Sequence, residues 1–142
     1  MCSDCPEILK PWPRGSQGFP KMVCHRGANF LAPENTLPAA SICISQGFDL
    51  VEIDVRTTAD GEIVLMHDAT VDRTTNGKGY LRDFTYEELG SLDAGSWFSK
   101  SYSGERIPTL ALILGLLANT PNTAPPTNIG GNVSNKSKRS LN

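Results

Sequence analysis

The sequence predicts an α/β fold with parallel strands, because short apolar runs rich in β-branched residues alternate with segments of helical pattern. Three such runs are readable, at 21–25, 50–55 and 63–67. The chain has 142 residues, of which 39% are apolar and 20% charged, as in an ordinary globular protein. That length allows one modest domain with a real core.

Composition divides the chain into three segments. Residues 1–20 are rich in proline and glycine and are predicted to form an irregular lead-in. Residues 21–117 carry the periodic patterns of a folded domain. Residues 118–142 are rich in Asn, Pro, Thr, Ser and Gly and contain no acidic residue. This last segment is predicted to be disordered, because it buries too little apolar surface to offset the entropy of ordering it.

The first helix is predicted between the first two strands. Asn35 or Thr36 would be its N-cap, and it would run to about Gln46 and stop at Gly47.

Two further helices are predicted after the third strand. Thr85 and Glu88 have the spacing of a capping box, which places a helix start at Thr85. A last helix is predicted to open at Pro108 and run to about Leu117. It is apolar nearly all round and therefore has to be buried or covered.

Charge and hydropathy exclude several functions. The net charge of −2 gives no basic field for binding nucleic acid. No stretch approaches the ~18 consecutive apolar residues that a membrane-spanning helix needs. The N-terminus lacks a positive patch followed by an apolar core, so no signal peptide is predicted and the expected location is the cytoplasm.

The four cysteines are interpreted in two groups. Cys2 and Cys5 have the spacing of half a zinc site, but no second Cys/His pair follows, so metal binding is not favoured there. Cys24 and Cys43 lie in apolar runs and are predicted to be small buried hydrophobic residues.

A carboxylate pair lies inside the second predicted strand. Because side chains alternate along a strand, Glu52 and Asp54 project to one face. Burying two carboxylates is expensive unless a positive partner neutralises them, and a hard cation such as Mg²⁺ or Ca²⁺ would suit their oxygen atoms. The alternative is an edge strand whose acidic side chains face solvent.

The chain has only two histidines, His25 and His67, and both fall at ends of predicted strands. If the strands are parallel, both histidines converge at the carboxyl edge of the sheet, where such folds bind ligands. If residues 60–61 instead form a tight hairpin turn, Asp54 and His67 lie directly opposite each other. Either arrangement favours a functional role over that of two isolated structural histidines.

Further charged residues flank the two histidines. Arg26 could fork onto phosphate oxygens or form a surface salt bridge. Asp68, Asp72 and Arg73 could orient the second histidine or solvate its loop, and the second interpretation is favoured for Asp72 and Arg73. The glycine-rich residues 74–80 lack the spacing of a phosphate loop and are predicted to form a turn.

Taken together, these residues resemble the glycerophosphodiester phosphodiesterase family. The resemblance rests on five motifs in series over residues 22–110: HRG (25–27), APENT (32–36), VEIDVRTTADG (51–61), MHD (66–68) with DRTTNGKG (72–79), and LDAGSWF (92–98) continuing to GERIPTL (104–110). HRG followed by APENT favours this family over the sphingomyelinase-D-like and phosphoinositide-lyase branches, which share the histidine and acid arrangement.

The resemblance implies a TIM barrel of the phospholipase-C-like phosphodiesterase type. A complete barrel typically needs about 250 residues. The chain would therefore supply an incomplete TIM barrel, with residues 21–117 as the N-terminal part of the domain. That part would hold the first three strands and a small insertion at about 72–106.

The resemblance also implies a reaction and the residues that perform it. Glu52 and Asp54 would be ligands of a divalent metal, Mg²⁺ or Ca²⁺, while His25 and His67 would be the general acid–base pair. Arg26 would hold the phosphate. The substrate would be a small glycerophosphodiester, hydrolysed to sn-glycerol 3-phosphate and an alcohol in lipid and glycerol metabolism.

The sequence departs from the family after the IPTL motif. The family has a third metal carboxylate on a later strand, whereas this chain continues with LALILGLLA and a segment without acidic residues. We therefore expect a truncated chain. The alternative hypothesis is an inactive fragment that binds metal weakly or a partner through its exposed strand edges.

Overall fold

The computed structural model describes residues 22–48 and 50–118. The elements in chain order are β1 (Val23–Cys24), α1 (Leu37–Gln46), β2 (Leu50–Val51), β3 (Val55–Thr57), β4 (Ile63–Leu65), α2 (Tyr86–Leu89) and α3 (Leu110–Ala118), with short 3-10 turns at Leu81–Asp83 and Lys100–Tyr102. The predicted lead-in, the Cys2/Cys5 pair and the predicted tail beyond Ala118 lie outside the described residues. No helix in the described ranges is both long and apolar enough to cross a membrane.

The four strands form two pairs of opposite kind. β1 and β2 are parallel, with Cys24 opposite Val51, as the sequence predicted. β3 and β4 are antiparallel, with Val55 opposite Leu65, so the expectation of parallel strands is wrong here and the hairpin alternative is correct.

The register of the hairpin differs by one residue from the expected one. The N–H of Met66 donates to the carbonyl of Asp54 at 3.0 Å, so Met66 rather than His67 is paired with Asp54. The cause is the length of the connection. Instead of a two-residue turn, residues 58–62 form a longer loop that is closed by a hydrogen bond of 3.0 Å from Thr58 N–H to the Glu62 carbonyl.

The predicted strand 50–55 is divided, because its backbone changes partners midway. The N–H of Glu52 donates to the Cys24 carbonyl at 2.9 Å, whereas the Asp54 carbonyl accepts from the hairpin partner. The predicted alternation of side chains nevertheless holds, since Ile53 is only 6% exposed and packs in the core beside Val51 and Val55. The strands predicted at 21–25 and 63–67 are shorter than expected, so both histidines follow a strand end.

Helix boundaries follow the predicted caps. α1 begins after Thr36 and ends at Gly47, whose φ of 77° is the left-handed conformation that glycine adopts readily. The capping box at the start of α2 is complete, because Thr85 and Glu88 satisfy each other's backbone N–H groups.

α3 begins at Leu110, two residues after the predicted start. The Pro108 carbonyl accepts a hydrogen bond of 2.9 Å from Leu65 N–H, and Thr109 forms a bridge to Val64. These two residues therefore extend the hairpin instead of opening the helix.

Two hydrophobic clusters form the core. The first joins α1, the central strands and α3, and its buried members are Ala40, Ile53, Leu65 and Ile113. The second lies under the segment predicted as an insertion, and its buried members are Val64, Met66, Val71, Leu81, Leu89, Ala94 and Ile107. Residues 64–66 contribute to both clusters, so β4 and the residue after it connect the two halves of the described core.

Candidate functional site

Arg26 contacts three carboxylates where β1 and β2 end. Its backbone N–H donates to Glu52 Oε2 at 2.8 Å, and its Nη1 donates to Glu34 Oε1 at 3.0 Å. Its Nε lies 3.5 Å from Asp54 Oδ2 but is not aligned for a hydrogen bond, and this buried Nε has no other partner in the described chain. The contact therefore partly neutralises the charges of Arg26 and Asp54, but it leaves the Nε–H of Arg26 without a hydrogen bond.

The loop that carries Arg26 is folded tightly against α1. Arg26 and Gly27 both have positive φ, 56° and 79°. A Cβ on Gly27 would lie 2.7 Å from Cβ of Ala39, so only glycine fits without displacing the helix. The Asn35 N–H donates to the Arg26 carbonyl at 2.9 Å and closes the loop from the other side.

Asn35 fixes Asp54 at two points. Its Nδ2 donates to Asp54 Oδ2 at 3.1 Å, and its Oδ1 accepts from the Asp54 backbone N–H at 3.1 Å. Asn35 is 5% exposed and has φ of 57°, a conformation that asparagine tolerates better than most residues. The sequence predicted only a capping role at this position. The APENT motif, which contains this residue, was the available signal of a larger role.

His67 follows β4 and is oriented by its neighbour. Its Nδ1 lies 2.6 Å from Asp68 Oδ1, and its carbonyl accepts from Nε of Arg56 at 3.0 Å. The His67 side chain is 43% exposed. With Nδ1 engaged by Asp68, Nε2 is the ring atom available for proton transfer.

Arg73 does more than solvate its loop, so that prediction is wrong. Its guanidinium donates to both oxygens of Glu34, at 2.7 and 2.9 Å, and to both oxygens of Asp68, at 2.7 and 3.2 Å. Asp72 behaves as predicted, since its carboxylate accepts from Gly79 N–H within the same exposed loop. Local sequence could not reveal the Arg73 contacts, because Glu34 lies 39 residues away.

The ion pairs keep their members charged. Hydrogen bonds from Arg73 lower the pKa of Glu34, with a smaller contribution from Arg26. Arg73, followed by His67, likewise lowers the pKa of Asp68. The two carboxylates in turn raise the pKa of Arg73. Glu34, Asp68 and Arg73 are therefore all ionised across the physiological range.

His25 lies beside Arg26 at the end of β1 and is exposed. Its imidazole makes no hydrogen bond or ion pair with the described residues. The structure thus joins Arg26 directly to Glu52 and Asp54, and it connects Arg26 to His67 through contacts of Glu34, Arg73 and Asp68.

Glu52 and Asp54 fit part of a divalent-metal site. Each carboxylate uses one oxygen for the contacts above, which leaves Oε1 of Glu52 and Oδ1 of Asp54 without a hydrogen bond in the described chain. Carboxylate oxygens are the donors that Mg²⁺ and Ca²⁺ prefer. Within residues 22–48 and 50–118, no group of three or more His, Cys, Asp or Glu side chains is placed to hold a metal ion.

Comparison with known proteins identifies relatives of this arrangement. The model of the glycerophosphoryl diester phosphodiesterase family matches residues 25–140. A glycerophosphodiester phosphodiesterase of Caldanaerobacter subterraneus is 48% identical over 96 residues, which are 68% of this chain and 40% of the relative.

Two solved structures share the fold. A glycerophosphodiester phosphodiesterase from Agrobacterium tumefaciens is 46% identical, with a TM-score of 0.67, over 70% of this chain and 43% of the other. An Oleispira antarctica phosphodiesterase in complex with the product sn-glycerol-3-phosphate is 41% identical, with a TM-score of 0.68, over 70% and 40%.

These neighbours are TIM-barrel enzymes, and the likeness confirms the predicted fold class. The chain spans about two fifths of the length of the three relatives described here, which is 40% to 43%. The described residues therefore form part of a TIM barrel, as the sequence predicted.

Proposed function

The chain belongs to the glycerophosphoryl diester phosphodiesterase family, and on that premise we propose that its site serves metal-dependent hydrolysis of glycerophosphodiesters. The products would be sn-glycerol 3-phosphate and an alcohol. The product named for the Oleispira antarctica relative supports this substrate class.

The contacts of Arg26 support the proposal most strongly. Its guanidinium lies between Glu34 and Asp54, yet Nε and Nη2 donate no hydrogen bond to the described residues. Because Nε is buried against Asp54, an oxygen of a phosphodiester would accept from Nη2 and meet the positive charge that phosphoryl transfer needs. Arg26 would therefore bind and orient the phosphate.

His25 and His67 would move the protons of the reaction. One imidazole would deprotonate the attacking hydroxyl group and the other would protonate the departing alcohol. Nε2 of His67, which makes no hydrogen bond with the described residues, and the exposed ring of His25 are both accessible for this work.

Glu52 and Asp54 would hold Mg²⁺ or Ca²⁺ through their available oxygen atoms. Such an ion supplies Lewis-acid stabilisation of the charge that grows on phosphoryl oxygens. The backbone N–H of Arg26 and the amide of Asn35 would keep the two carboxylates in place for it.

The proposal is tested by incubating the purified chain with glycerophosphocholine and either Mg²⁺ or Ca²⁺. Release of sn-glycerol 3-phosphate would be followed by ³¹P NMR. We expect His25→Ala and Glu52→Gln to abolish turnover, by a factor of about 10² or more. Lys78→Ala is the matched control and should leave turnover unchanged, because the Lys78 side chain is 77% exposed and pairs with the exposed Asp72 outside the site.

A second candidate is a chain that binds metal without turnover. It is favoured because Glu52 and Asp54 each keep one oxygen without a hydrogen bond, while the described residues contain no group of three or more His, Cys, Asp or Glu side chains placed to hold a metal ion. Isothermal titration with Ca²⁺ separates the two candidates. Binding that is lost in Glu52→Gln, together with no product from glycerophosphocholine, would support this second candidate and overturn the first.

We also propose a cytoplasmic location. The buried, unpaired thiols of Cys24 and Cys43 support it, because cysteines in that compartment are usually reduced.

A further inference from the structure

We propose that Arg73 is a positioning residue that fixes the tautomer of His67 through Asp68 and, through Glu34, couples that histidine to Arg26. The importance of this role for catalysis rests on the proposed function, whereas the arrangement itself can be tested without turnover.

The Arg73 guanidinium makes two forked contacts at once. Nε donates to Asp68 Oδ2 at 2.7 Å and Nη1 donates to Glu34 Oε2 at 2.9 Å. Nη2 lies between the two acids and donates to Glu34 Oε1 at 2.7 Å and to Asp68 Oδ1 at 3.2 Å. All three nitrogen atoms of one planar group are used, so neither carboxylate can rotate without breaking a bond to Arg73.

Each of the two carboxylates also contacts a proposed active-site residue, so the orientation that Arg73 imposes on the carboxylate also restricts that residue. Asp68 Oδ1, which accepts from Arg73, also lies 2.6 Å from Nδ1 of His67. Glu34 Oε1, which accepts from Arg73, also accepts from Nη1 of Arg26 at 3.0 Å. In neutral His67 the proton then resides on Nδ1, because the ionised Asp68 can only accept, and Nε2 carries the lone pair.

The geometry requires arginine and not only a positive charge. Isolated ion pairs at exposed positions contribute little, about 0–1 kcal/mol, but bidentate contacts within a network are the exception. Lysine offers one point charge on a flexible chain and cannot engage both edges of two carboxylates in one plane. Arg73→Lys should therefore retain the charge and lose the positioning.

The test is the tautomer of His67 in the ¹⁵N-labelled full chain, measured by long-range ¹H–¹⁵N correlation near pH 8, where free histidine is neutral. The chain has only two histidines, so His25→Gln assigns the signals. We expect the Nδ1–H form in the wild type. In Arg73→Ala and Arg73→Lys we expect its fraction to fall about twofold or more, because the hydrogen-bond partner sets the tautomer.

Two variants complete the design. Asp68→Ala removes the direct partner of Nδ1 and should shift the tautomer at least as far as Arg73→Ala. Arg82→Ala is the matched control, since Arg82 is 77% exposed, lies 3.8 Å from Asp83 and contacts no residue of the site. Backbone amide spectra identify any variant that does not fold. If Arg73→Ala does not fold, the His67 tautomer in Arg73→Lys decides the test.

The outcomes separate the two proposals. An Nε2–H form in the wild type, or an unchanged tautomer ratio in both Arg73 variants, would overturn the positioning role. Absence of turnover with glycerophosphocholine would count against the proposed function only, because the tautomer is measured without substrate.

Discussion

The two ends of the site are held by different kinds of interaction. At the carboxylate end, backbone and amide groups hold acidic side chains in a half-buried setting formed by Arg26, Asn35, Glu52 and Asp54. At the histidine end, ion pairs between side chains hold an exposed group formed by His67, Asp68 and Arg73. The side chain of Arg26 is 18% exposed and that of Arg73 is 43% exposed.

Because of this difference, substitutions at the two ends should have different consequences. Polar groups at the carboxylate end have little access to water, so losing a partner leaves an unsatisfied group in the fold. Charges at the histidine end are hydrated, and salt screens them over about 10 Å at 0.1 M. We infer that changes at the carboxylate end are seen first as loss of stability. Changes at the histidine end are seen first as loss of orientation.

The largest effect is expected from Gly27→Ala at the carboxylate end. The new Cβ would lie 2.7 Å from Cβ of Ala39 and 3.0 Å from its carbonyl carbon, at a residue with φ of 79°. Overpacking costs about 1–3 kcal/mol and the left-handed conformation about 1–2 kcal/mol, so the free energy of unfolding should fall by about 2–5 kcal/mol. Urea denaturation measures this change.

Gly61→Ala is the control that separates the two causes. Gly61 has φ of 89°, and no atom lies within 4 Å of the Cβ position. Only the conformational term of about 1–2 kcal/mol applies there. Equal losses in the two variants would show that the loop is not tightly packed against α1.

Asn35→Ala is expected to have the next largest effect. It removes both hydrogen bonds to Asp54 and leaves the part-buried Asp54 N–H without its acceptor. An unsatisfied buried group costs about 1–3 kcal/mol, and alanine at φ of 57° adds about 1 kcal/mol. We expect a loss of about 2–4 kcal/mol in urea denaturation.

The matched variant at this position is Asn35→Gly. It removes the same hydrogen bonds without the penalty for positive φ, so its loss should be smaller by about 1 kcal/mol. If Asn35→Gly were as stable as the wild type, the side chain of Asn35 would not be what holds Asp54.

For the two carboxylates that Arg73 contacts, Asp68 at the histidine end and Glu34 between the two ends, we expect stability to depend on pH. Arg73 lowers the pKa of Glu34 and of Asp68, so the folded-state values lie below the unfolded values of about 4.3 and 3.9. This contribution to stability is fully present above those unfolded values. It is lost as the pH falls through the depressed folded values, because the unfolded state takes up protons while the folded carboxylates are still ionised.

The measurement is the free energy of unfolding between pH 7 and pH 3 for the wild type and for the double variant Glu34→Gln/Asp68→Asn. The wild type should lose stability below about pH 4.5, and the double variant should show a shallower slope there. Added salt should reduce the difference between the two proteins at pH 7. Parallel slopes would contradict the assignment of these two carboxylates.

Sequence patterns predicted the local parts of the structure well. The cap at Gly47 and the Thr85/Glu88 capping box depend on residues a few positions apart, and both are observed. The predicted alternation that puts Glu52 and Asp54 on one face also holds, since Val51, Ile53 and Val55 pack in the core on the other, and such alternation does not depend on the partner strand.

The parts that depend on distant contacts were missed or shifted. The hairpin register depends on a loop closed by Thr58 and Glu62, which hydrophobic patterning does not reveal. Arg73 lies in an exposed polar loop, and its importance appears only when the fold brings Glu34 beside it. A short-range pattern cannot distinguish such an arginine from one that only meets solvent.

Lys78→Ala is expected to have the smallest effect on stability. It allows a comparison of a single ion pair with the forked contacts of Arg73 in the same segment. Lys78 belongs to the same polar segment as Arg73 and also pairs with an aspartate. Its side chain is 77% exposed, and among the described residues its Nζ pairs only with Asp72, at 3.7 Å. A pair of this kind contributes less than about 0.5 kcal/mol. Urea denaturation of Lys78→Ala should therefore match the wild type within error, and the His67 tautomer should be unchanged. A tautomer shift in this variant would mean that the net charge of the segment, and not the forked geometry of Arg73, sets the state of the histidine.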